Sequence, residues 1–248
     1  MLERIGNRDT SSHRNECAEN LRENGWWFSR SEWTEQAFDI DMDGSWIDFT
    51  DHWNGLQLDE YMRDGGTYRY RRYSAFEYDA ATGAFRLLPH SPYEQSQSVN
   101  RLNGGFQRHF EPLETSFLDH PVLEKILTGF GRIFSEASGH GHWNIKLHPY
   151  RIVARDGAIG EPTPEGLHQD GVDFIVSYMI GRVNVTGGIS TVTDLSRQPI
   201  GDVEMNRPND FLVGDDRNTF HNVSPVLVKD RKKPFAYRDV LVIAFEKI

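Results

Sequence analysis

His168 and Asp170 stand one residue apart in the stretch EGLHQDGVDF at residues 165–174. Side chains along a β-strand repeat every two residues, so both could point from the same face of a strand. An imidazole and a carboxylate are common metal ligands. A single H-x-D pair is weak evidence because it arises by chance in many chains. It predicts a metal site only if a third ligand lies elsewhere in the sequence.

His221 is the candidate third ligand, because its setting DDRNTFHNVSPV is typical of a strand that runs into a turn. Two imidazoles and one carboxylate can occupy one face of an octahedral metal ion and leave the other positions free. Non-haem Fe(II) enzymes use this arrangement to bind a co-substrate and oxygen. The three ligands alone do not exclude zinc.

Arg238 lies at the beginning of a predicted strand, RDVLVIAF, where it shares a face with Val240, Val242 and Ala244. An arginine directed into an apolar interior needs an anion, and its planar guanidinium matches a carboxylate. The sequence therefore predicts a carboxylate-binding arginine in the same pocket as the metal. A zinc hydrolase has no evident use for such a group, which favours the iron interpretation.

Other residues compete for these roles. Asp173 could replace Asp170 as the carboxylate ligand, although three residues along a strand it would fall on the other face. His140, His142 and His148 have even spacings and could suggest a second metal site. We interpret them instead as strand and loop histidines that hydrogen-bond to their neighbours.

Helices are predicted mainly before residue 140. SSHRNECAENLRENG reads as a helix that stops at Gly25, GWWFSR as a buried strand, and FTDHWNGLQLDEYM as a second helix. TYRYRRYSAFEYD and GAFRLLP are predicted strands. The strongest helix signal is DHPVLEKILTGFGRIFSEASG, with Asp119 as the N-cap, Pro121 in the first turn and Gly139 at the end. Its apolar stripe predicts a core position.

After Gly139 the sequence consists of short β-rich runs broken by Gly, Asn, Asp and Pro. Such a succession without a long helix predicts an antiparallel sandwich or barrel. We therefore predict a mainly β protein with flanking helices (α+β). No repeat or low-complexity linker divides the chain, which indicates one domain over residues 1–248. Its N-terminal part, up to about residue 140, would form a helix-containing cover, and residues 141–248 the metal-bearing β core.

Composition limits the function classes. A net charge of -10 disfavours nucleic acid as a partner. The basic cluster YRYRRYS could bind a polyanion, but it is interpreted as a solvated strand or as inward-pointing arginines. No apolar run approaches a membrane span, and the N-terminus has no signal-like apolar region. Cys17 is the only cysteine, which fits a reducing cytoplasm. A homodimer is compatible with the sequence, which does not fix the oligomeric state.

Five stretches carry a family resemblance: LHPYRIVA, GLHQDG, TGGIST, TFHNVSPV and YRDVLVIAFEK. In this order they resemble the Fe(II)/2-oxoglutarate-dependent dioxygenases, and more narrowly the bacterial L-isoleucine dioxygenase-type hydroxylases of free amino acids. The resemblance covers the C-terminal part of the chain well. Before it, only RRYS and the segment ahead of the long helix are similar.

The resemblance implies a double-stranded β-helix, or cupin-like jelly roll. It implies that His168, Asp170 and His221 ligate Fe(II), that Arg238 holds the distal carboxylate of 2-oxoglutarate, and that oxygen is the second co-substrate. The expected reaction hydroxylates an unactivated carbon of a small molecule, a free L-amino acid side chain, and converts 2-oxoglutarate to succinate and CO2. Halogenating relatives lack the carboxylate ligand, so Asp170 disfavours halogenation.

Substrate contacts are expected near the stretch HPYRIV, from Tyr150 and Arg151, with Arg72 and Arg155 as competitors. The Gly- and Pro-rich segment at 155–166 is interpreted as a lid or as a plain surface loop. Two alternatives stay open. One is a tailoring hydroxylase or desaturase that acts on a biosynthetic intermediate or a carrier-bound amino acid. The other is a non-enzymatic metabolite-binding β-sandwich.

Overall fold

The computed structural model describes residues 10–100, 102–233 and 235–248. Within these ranges the helices are α1 (Thr10–Asn24), α2 (Ser31–Phe38), α3 (Gly44–Asp51), α4 (Thr115–Leu118) and α5 (Pro121–Ser138). The strands are β1 (Trp26–Ser29), β2 (Gln57–Leu58), β3 (Arg69–Arg71), β4 (Ser74–Asp79), β5 (Ala84–Leu87), β6 (His142–Val153), β7 (Phe174–Val183), β8 (Val185–Gly187), β9 (Ile189–Thr193), β10 (Pro199–Glu204), β11 (Phe211–Asp215), β12 (Phe220–Val223), β13 (Val226–Val228) and β14 (Tyr237–Lys247).

The long helix α5 forms where the sequence predicts it, and its apolar stripe is buried. It ends at Gly139, whose positive φ of 69° suits glycine. The predicted N-cap is wrong by one residue. His120 holds that position, and its Nδ1 accepts a hydrogen bond from the Val122 N–H at 3.2 Å. The buried stripe residues are Val122, Leu123, Ile126, Leu127, Phe130, Ile133 and Phe134.

The predicted second helix, FTDHWNGLQLDEYM, is wrong beyond its first turn. Helix α3 ends at Asp51, and a 3-10 turn, His52–Gly55, follows it. Glycine disfavours continuing a helix. The chain then pairs with β3 through β2, so the backbone hydrogen bonds of these residues go to a sheet and not to a helix.

The large sheet has the order β1-β11-β7-β14-β6-β3-β2, with β4 also paired to β6 and β5 to β4. All of these pairings are antiparallel. Strands β1 to β5 come from the N-terminal part of the chain, which therefore supplies part of the sheet as well as helices. The predicted mainly β, antiparallel architecture is confirmed.

One face of the large sheet packs on the helices. Aromatic rings dominate this contact, with Phe134 of α5 stacked on Phe174 of β7 at 4.4 Å between ring centroids. The other face packs on two smaller sheets, β10-β9-β12 and β13-β8. Met179 and Val240 from the large sheet meet Val192 of β9 in a separate apolar cluster. The large sheet and the two smaller sheets packed against it form the predicted double-stranded β-helix.

The register of the large sheet decides which side chains face the smaller sheets. Arg238 is opposite Ile152, and Val240 is opposite Tyr150. On the next strand, Arg71 is opposite Tyr150 and Arg69 is opposite Ile152. Opposed residues in an antiparallel pair share a face, so these residues point into one interior. No helix of the described ranges combines the length and apolar character needed to cross a membrane.

Candidate active site

A backbone bridge joins the two candidate histidine ligands. His168 N–H donates to His221 O at 3.0 Å, and His221 N–H donates to His168 O at 2.9 Å. His221 lies in β12, whereas His168 lies in a loop before β7 and makes only this isolated bridge. The expectation that H-x-D occupies a regular strand is therefore wrong. The bridge places the imidazoles side by side, with ring centroids 4.4 Å apart.

The three predicted ligand side chains converge. Each of His168, Asp170 and His221 offers one ligand atom, and these atoms all lie within 4.8 Å of one another. His221 Nε2 lies 3.3 Å from Asp170 Oδ2, and His168 Nε2 lies 3.9 Å from the same oxygen. His168 Nδ1 donates to Gly166 O at 2.9 Å, which leaves Nε2 free to ligate. The three groups could hold one metal ion.

In the cluster of His168, Asp170 and His221, the histidines and the carboxylate favour each other's charged forms. Burial alone would raise the pKa of Asp170, but the hydrogen bond from His221 and the charges of both histidines lower it to about 2. Burial opposes protonation of His221, yet the hydrogen bond to Asp170 and its charge raise the pKa of His221 overall. The carboxylate is thus ionised, as a metal ligand must be.

The competing ligand candidates are engaged elsewhere. The buried Asp173 carboxylate accepts a hydrogen bond from the Lys247 N–H at 2.8 Å and pairs with Arg217 Nε at 2.8 Å. His140 Nε2 lies 2.7 Å from the His142 carbonyl oxygen, which it bonds as the donor. Among the described residues no second cluster with metal-binding geometry is found.

Arg238 is almost fully buried, with 2% of its surface exposed. Its Nε and Nη2 have no hydrogen-bond partner in the described structure. Burial and the neighbouring charge of Arg182 lower the pKa of Arg238 to about 9. A bound anion would accept hydrogen bonds from Nε and Nη2, and it would offset the cost of burying the positive charge.

A cavity connects this arginine to the metal cluster, and we call it the Arg238 cavity. Tyr150, Thr163 and Ser177 add hydroxyl groups to a wall that also includes Arg238 and all three candidate ligands. A metal at one end and an unpaired guanidinium at the other fit a dicarboxylate that chelates the metal through one end. The residues present therefore fit both Fe(II) and 2-oxoglutarate.

A second cavity adjoins the first and shares Tyr150 in its wall, and we call it the arginine cavity. Arg69, Arg71, Arg108 and His148 line it, together with Tyr150. Asp170 and Glu165 line both cavities. The sequence cluster YRYRRYS thus contributes inward-pointing arginines, one of the two interpretations offered for it.

Of the predicted substrate residues, Tyr150 lines both cavities and the others do not. Arg151 makes a two-pronged ion pair with Asp239, at 2.8 and 2.7 Å. Arg72 donates to the carbonyl oxygens of Gly55 and Pro112. Each directly follows a residue whose side chain points into the interior. Because successive side chains of a strand point to opposite faces of the sheet, these two arginines point away from the interior. The expectation that Arg72 and Arg151 line the pocket is therefore wrong. Arg155 donates to the Thr67 carbonyl oxygen and also lies outside both cavities.

Three residues of the site went unnoticed in the sequence. Asp216 binds the backbone of the loop that carries Asp170. Arg108 comes from a segment without regular strands. Glu165 precedes His168 by three positions, and its Oε1 lies 3.7 Å from His168 Nε2. Only the alternation of Arg69 and Arg71 with tyrosines gave a signal that could have located part of the arginine cavity.

Comparison with known proteins decides the family. The model of the 2OG-Fe dioxygenase family matches residues 50–244, well over half of the chain. The chain belongs to this family. It is therefore an oxidoreductase of the dioxygenase type, with Fe(II) as its metal and 2-oxoglutarate and oxygen as its co-substrates. The residues that the family model covers include both cavities.

Individual relatives agree with this assignment. The chain is 26% identical over 196 residues to L-isoleucine-4-hydroxylase of Bacillus thuringiensis, covering 76% of this chain and 80% of the relative. It is 32% identical to a bsmA homolog from Methylobium petroleophilum, whose crystal structure it matches with a TM-score of 0.86 over 94% of this chain and 93% of that one. The crystal structure of IDO from Bacillus thuringiensis shares the fold, with 19% identity and a TM-score of 0.78 over 95% and 99% of the two chains.

Proposed function

We propose that this dioxygenase hydroxylates an aliphatic carbon of a small molecule, and that the molecule is a free L-amino acid. The observation that carries the proposal is the Arg238 cavity, which has three metal-ligand side chains at one end and an unpaired guanidinium at the other. The similarity to L-isoleucine-4-hydroxylase supports an amino acid as the substrate.

In this proposal His168, Asp170 and His221 hold Fe(II), and Arg238 holds the distal carboxylate of 2-oxoglutarate. When bound, the iron and 2-oxoglutarate together activate oxygen, so that one oxygen atom enters a substrate C–H bond and 2-oxoglutarate becomes succinate and CO2. The protein fixes the relative positions of these groups and keeps water away from them.

The hydroxyl groups along the Arg238 cavity have a positioning role in this scheme. Ser177 and Thr163 line the wall beside Arg238. Thr163 is fixed by a reciprocal pair of hydrogen bonds with the Val223 backbone, at 3.1 and 2.9 Å. The segment 155–166 is thereby tied to the strand that carries His221, and it forms a wall of the cavity.

The test uses purified protein supplied with Fe(II), 2-oxoglutarate and each proteinogenic L-amino acid in turn. We expect succinate to form with at least one aliphatic amino acid, and a product heavier by one oxygen atom. The variants His168→Ala and Asp170→Ala should lose both turnover and the binding of Mn(II) as an iron substitute. Full activity in either variant would overturn the metal assignment.

A second variant isolates the role of Arg238. Arg238→Gln should weaken 2-oxoglutarate binding about 10- to 100-fold, the value of a charge-assisted hydrogen-bond pair, without a loss of Mn(II) affinity. Arg207→Gln is the matched control, because Arg207 is an exposed arginine that pairs with Glu32. An unchanged 2-oxoglutarate affinity in Arg238→Gln would contradict the proposal.

A further inference from the structure

The arginine cavity contains buried hydrogen-bond donors that nothing in the described structure satisfies. Arg71 Nε, Arg108 Nε and His148 Nε2 are buried and have no hydrogen-bond partner. All three residues line this cavity. Buried polar atoms are normally paired, so several orphans in one cavity indicate a place for a ligand.

His148 is a donor in this cavity because of its tautomer. Burial and the charges of Arg71 and Arg108 lower the pKa of His148 well below its usual range, so the ring is neutral. Arg71 Nη2 bonds His148 Nδ1, and an arginine can only donate. Nδ1 must therefore accept, which leaves the proton on Nε2. The three orphan atoms are thus all N–H donors, and they suit an anion.

The three guanidinium groups of the cavity are not equally neutralised, because Arg108 has no ion pair in the described structure. Asp59 is the carboxylate that neutralises its inner end, and it lies 2.7 Å from Arg69 Nη2 and 3.7 Å from Arg71 Nη1. Arg108 has a neutral partner, Gln95, whose Oε1 accepts at 2.9 Å. Burial and the charge of Arg71 lower the pKa of Arg108, which an added anion would reverse.

Aromatic faces hold two of the guanidinium groups in place. Arg71 lies 3.8 Å from the ring centroid of Phe110 and 4.6 Å from that of Tyr150. Arg108 lies 4.8 Å from the ring centroid of Tyr93. Stacked arginines with few accessible rotamers are preorganised to bind a carboxylate.

Glu165 provides an opposite charge in the same cavity. Its side chain is 9% exposed, and its Oε2 is buried without a hydrogen-bond partner. Apolar side chains of Ile175, Val242 and Ala244 complete the wall near Asp170. The cavity thus offers donors for an anion, an acceptor for a cation, and an aliphatic surface beside the metal cluster.

We propose that the arginine cavity binds the substrate as a free zwitterion, with Arg71, Arg108 and His148 at its carboxylate and Glu165 at its ammonium group. The inference rests on the proposed function and names the residues that bind the two charged groups of the amino acid. An amino acid attached to a carrier has no free carboxylate to offer these donors. The aliphatic side chain then lies against Val242 and Ala244, toward Asp170.

The first test compares ligands on the unaltered enzyme, loaded with Fe(II) and 2-oxoglutarate without oxygen. L-isoleucine and L-leucine are titrated calorimetrically beside their primary amides, methyl esters and deamino acids. We expect the amides, esters and deamino acids to bind about 100-fold more weakly, because each leaves buried charged groups unpaired. Equal binding of acid and amide, or no binding of either amino acid, would overturn the proposal.

The second test assigns the selectivity to residues. Arg108→Gln should weaken binding of the amino acid about 100-fold and leave binding of the amide unchanged, so the ratio of the two affinities falls toward one. Glu165→Gln should remove the preference for the amino acid over the deamino acid. Arg86→Gln is the control, since Arg86 is exposed and paired with Glu77. An unchanged acid-to-amide ratio in Arg108→Gln would contradict the assignment.

The affinity for 2-oxoglutarate, measured in the same samples, separates this inference from the proposed function. If 2-oxoglutarate binds and Arg238→Gln weakens it, but acid and amide bind alike, only the zwitterion inference fails. If 2-oxoglutarate does not bind to the metal-loaded protein, the proposed function fails first.

Discussion

The carboxylate of Asp216 holds the backbone of Asp170. Asp216 Oδ1 accepts the Asp170 N–H at 3.0 Å, while Oδ2 accepts the N–H groups of Gly171 at 2.7 Å and Val172 at 3.1 Å. Asp216 is buried and precedes His221 in the same turn region. One carboxylate therefore links the loop that carries two candidate ligands to the strand that carries the third.

We expect Asp216→Asn to weaken metal binding about 10- to 100-fold, as is typical when a residue that orients a ligand is changed. An amide has one acceptor oxygen, so at least one of the three backbone N–H groups loses its partner. Calorimetric titration with Mn(II) measures the effect without any need for turnover.

Asp202→Asn is the control for this substitution. Asp202 lies in β10, and its carboxylate accepts a hydrogen bond from the Thr191 hydroxyl on the surface. Its replacement should leave Mn(II) affinity unchanged. Equal Mn(II) affinities for Asp216→Asn and the unaltered protein would show that the loop is held by its other contacts, such as the backbone bridge between His168 and His221.

The backbone at Gly188 lies close to the Arg238 side chain. A Cβ at this position would lie 3.1 Å from Arg238 Cδ and 3.3 Å from its Nε, and the φ of +69° is itself unfavourable for alanine. We expect Gly188→Ala to lower the free energy of unfolding by about 1–2 kcal/mol. It should also weaken 2-oxoglutarate binding, because the added methyl group displaces the guanidinium.

Gly181→Ala serves as the comparison, since a Cβ there meets nothing within 4 Å and the residue lies in β7 of the large sheet. Urea unfolding and a 2-oxoglutarate titration on both variants check the prediction. If Gly188→Ala is destabilised but binds 2-oxoglutarate normally, Arg238 adapts to the methyl group and the close contact has no role in binding.

The motif TGGIST illustrates how much of the site the sequence could predict. The glycine pair was recognisable as part of a family resemblance, but its physical reason depends on the close approach of Pro225 and Arg238. A Cβ on Gly187 would lie 2.1 Å from the Pro225 carbonyl oxygen, and one on Gly188 would contact Arg238. Contacts between residues so far apart in the chain are not visible in local spacing.

The metal cluster could be predicted from the sequence, whereas the arginine cavity could not. His168, Asp170 and His221 could be predicted because two lie in a short motif and metal chemistry restricts the residue types. Arg108 and His148 carry no such motif. The register that places β3 beside β6 brings Arg71 close to His148, and Arg108 reaches the same cavity from a segment without regular strands. Arg72 and Arg151 were wrongly predicted to contact the substrate because the sequence does not show which face of a strand points inward. Each is one position from a residue that does point inward.

Helix α5 contains two glycines whose role packing explains. A Cβ on Gly131 would lie 2.2 Å from the Tyr78 ring, so the ring packs directly on the helix backbone. Alanine favours a helix by about 1 kcal/mol over glycine, whereas overpacking a core costs about 1–3 kcal/mol. We expect the packing effect to dominate, and Gly131→Ala to lower the free energy of unfolding.

Chemical denaturation measures this difference, and the double variant Gly131→Ala/Tyr78→Leu tests its cause. A leucine leaves room for the added methyl group, so the two substitutions together should cost less than the sum of their separate effects. Additive effects would place the origin of the destabilisation outside the contact between the glycine and the tyrosine.

Asp59 stabilises the arginine cavity in a pH-dependent manner. Burial raises the pKa of Asp59, but the charges of Arg69 and Arg71 outweigh it and hold the pKa below its usual value. A carboxyl whose pKa is lower in the folded than in the unfolded protein contributes stability above the unfolded pKa of about 4 and loses it as pH falls through the folded value.

We therefore expect Asp59→Asn to lower the free energy of unfolding by about 3 kcal/mol near neutral pH, because it leaves two buried guanidinium groups without their carboxylate. The difference from the unaltered protein should begin to shrink below about pH 4, where Asp59 of the unfolded chain becomes protonated, and should shrink further as the pH falls through the lower folded pKa. Urea unfolding across this range tests both statements, with the surface variant Asp202→Asn as the reference. A stability difference that stays constant down to the acid limit would mean that Asp59 acts through hydrogen-bond geometry alone and not through its charge.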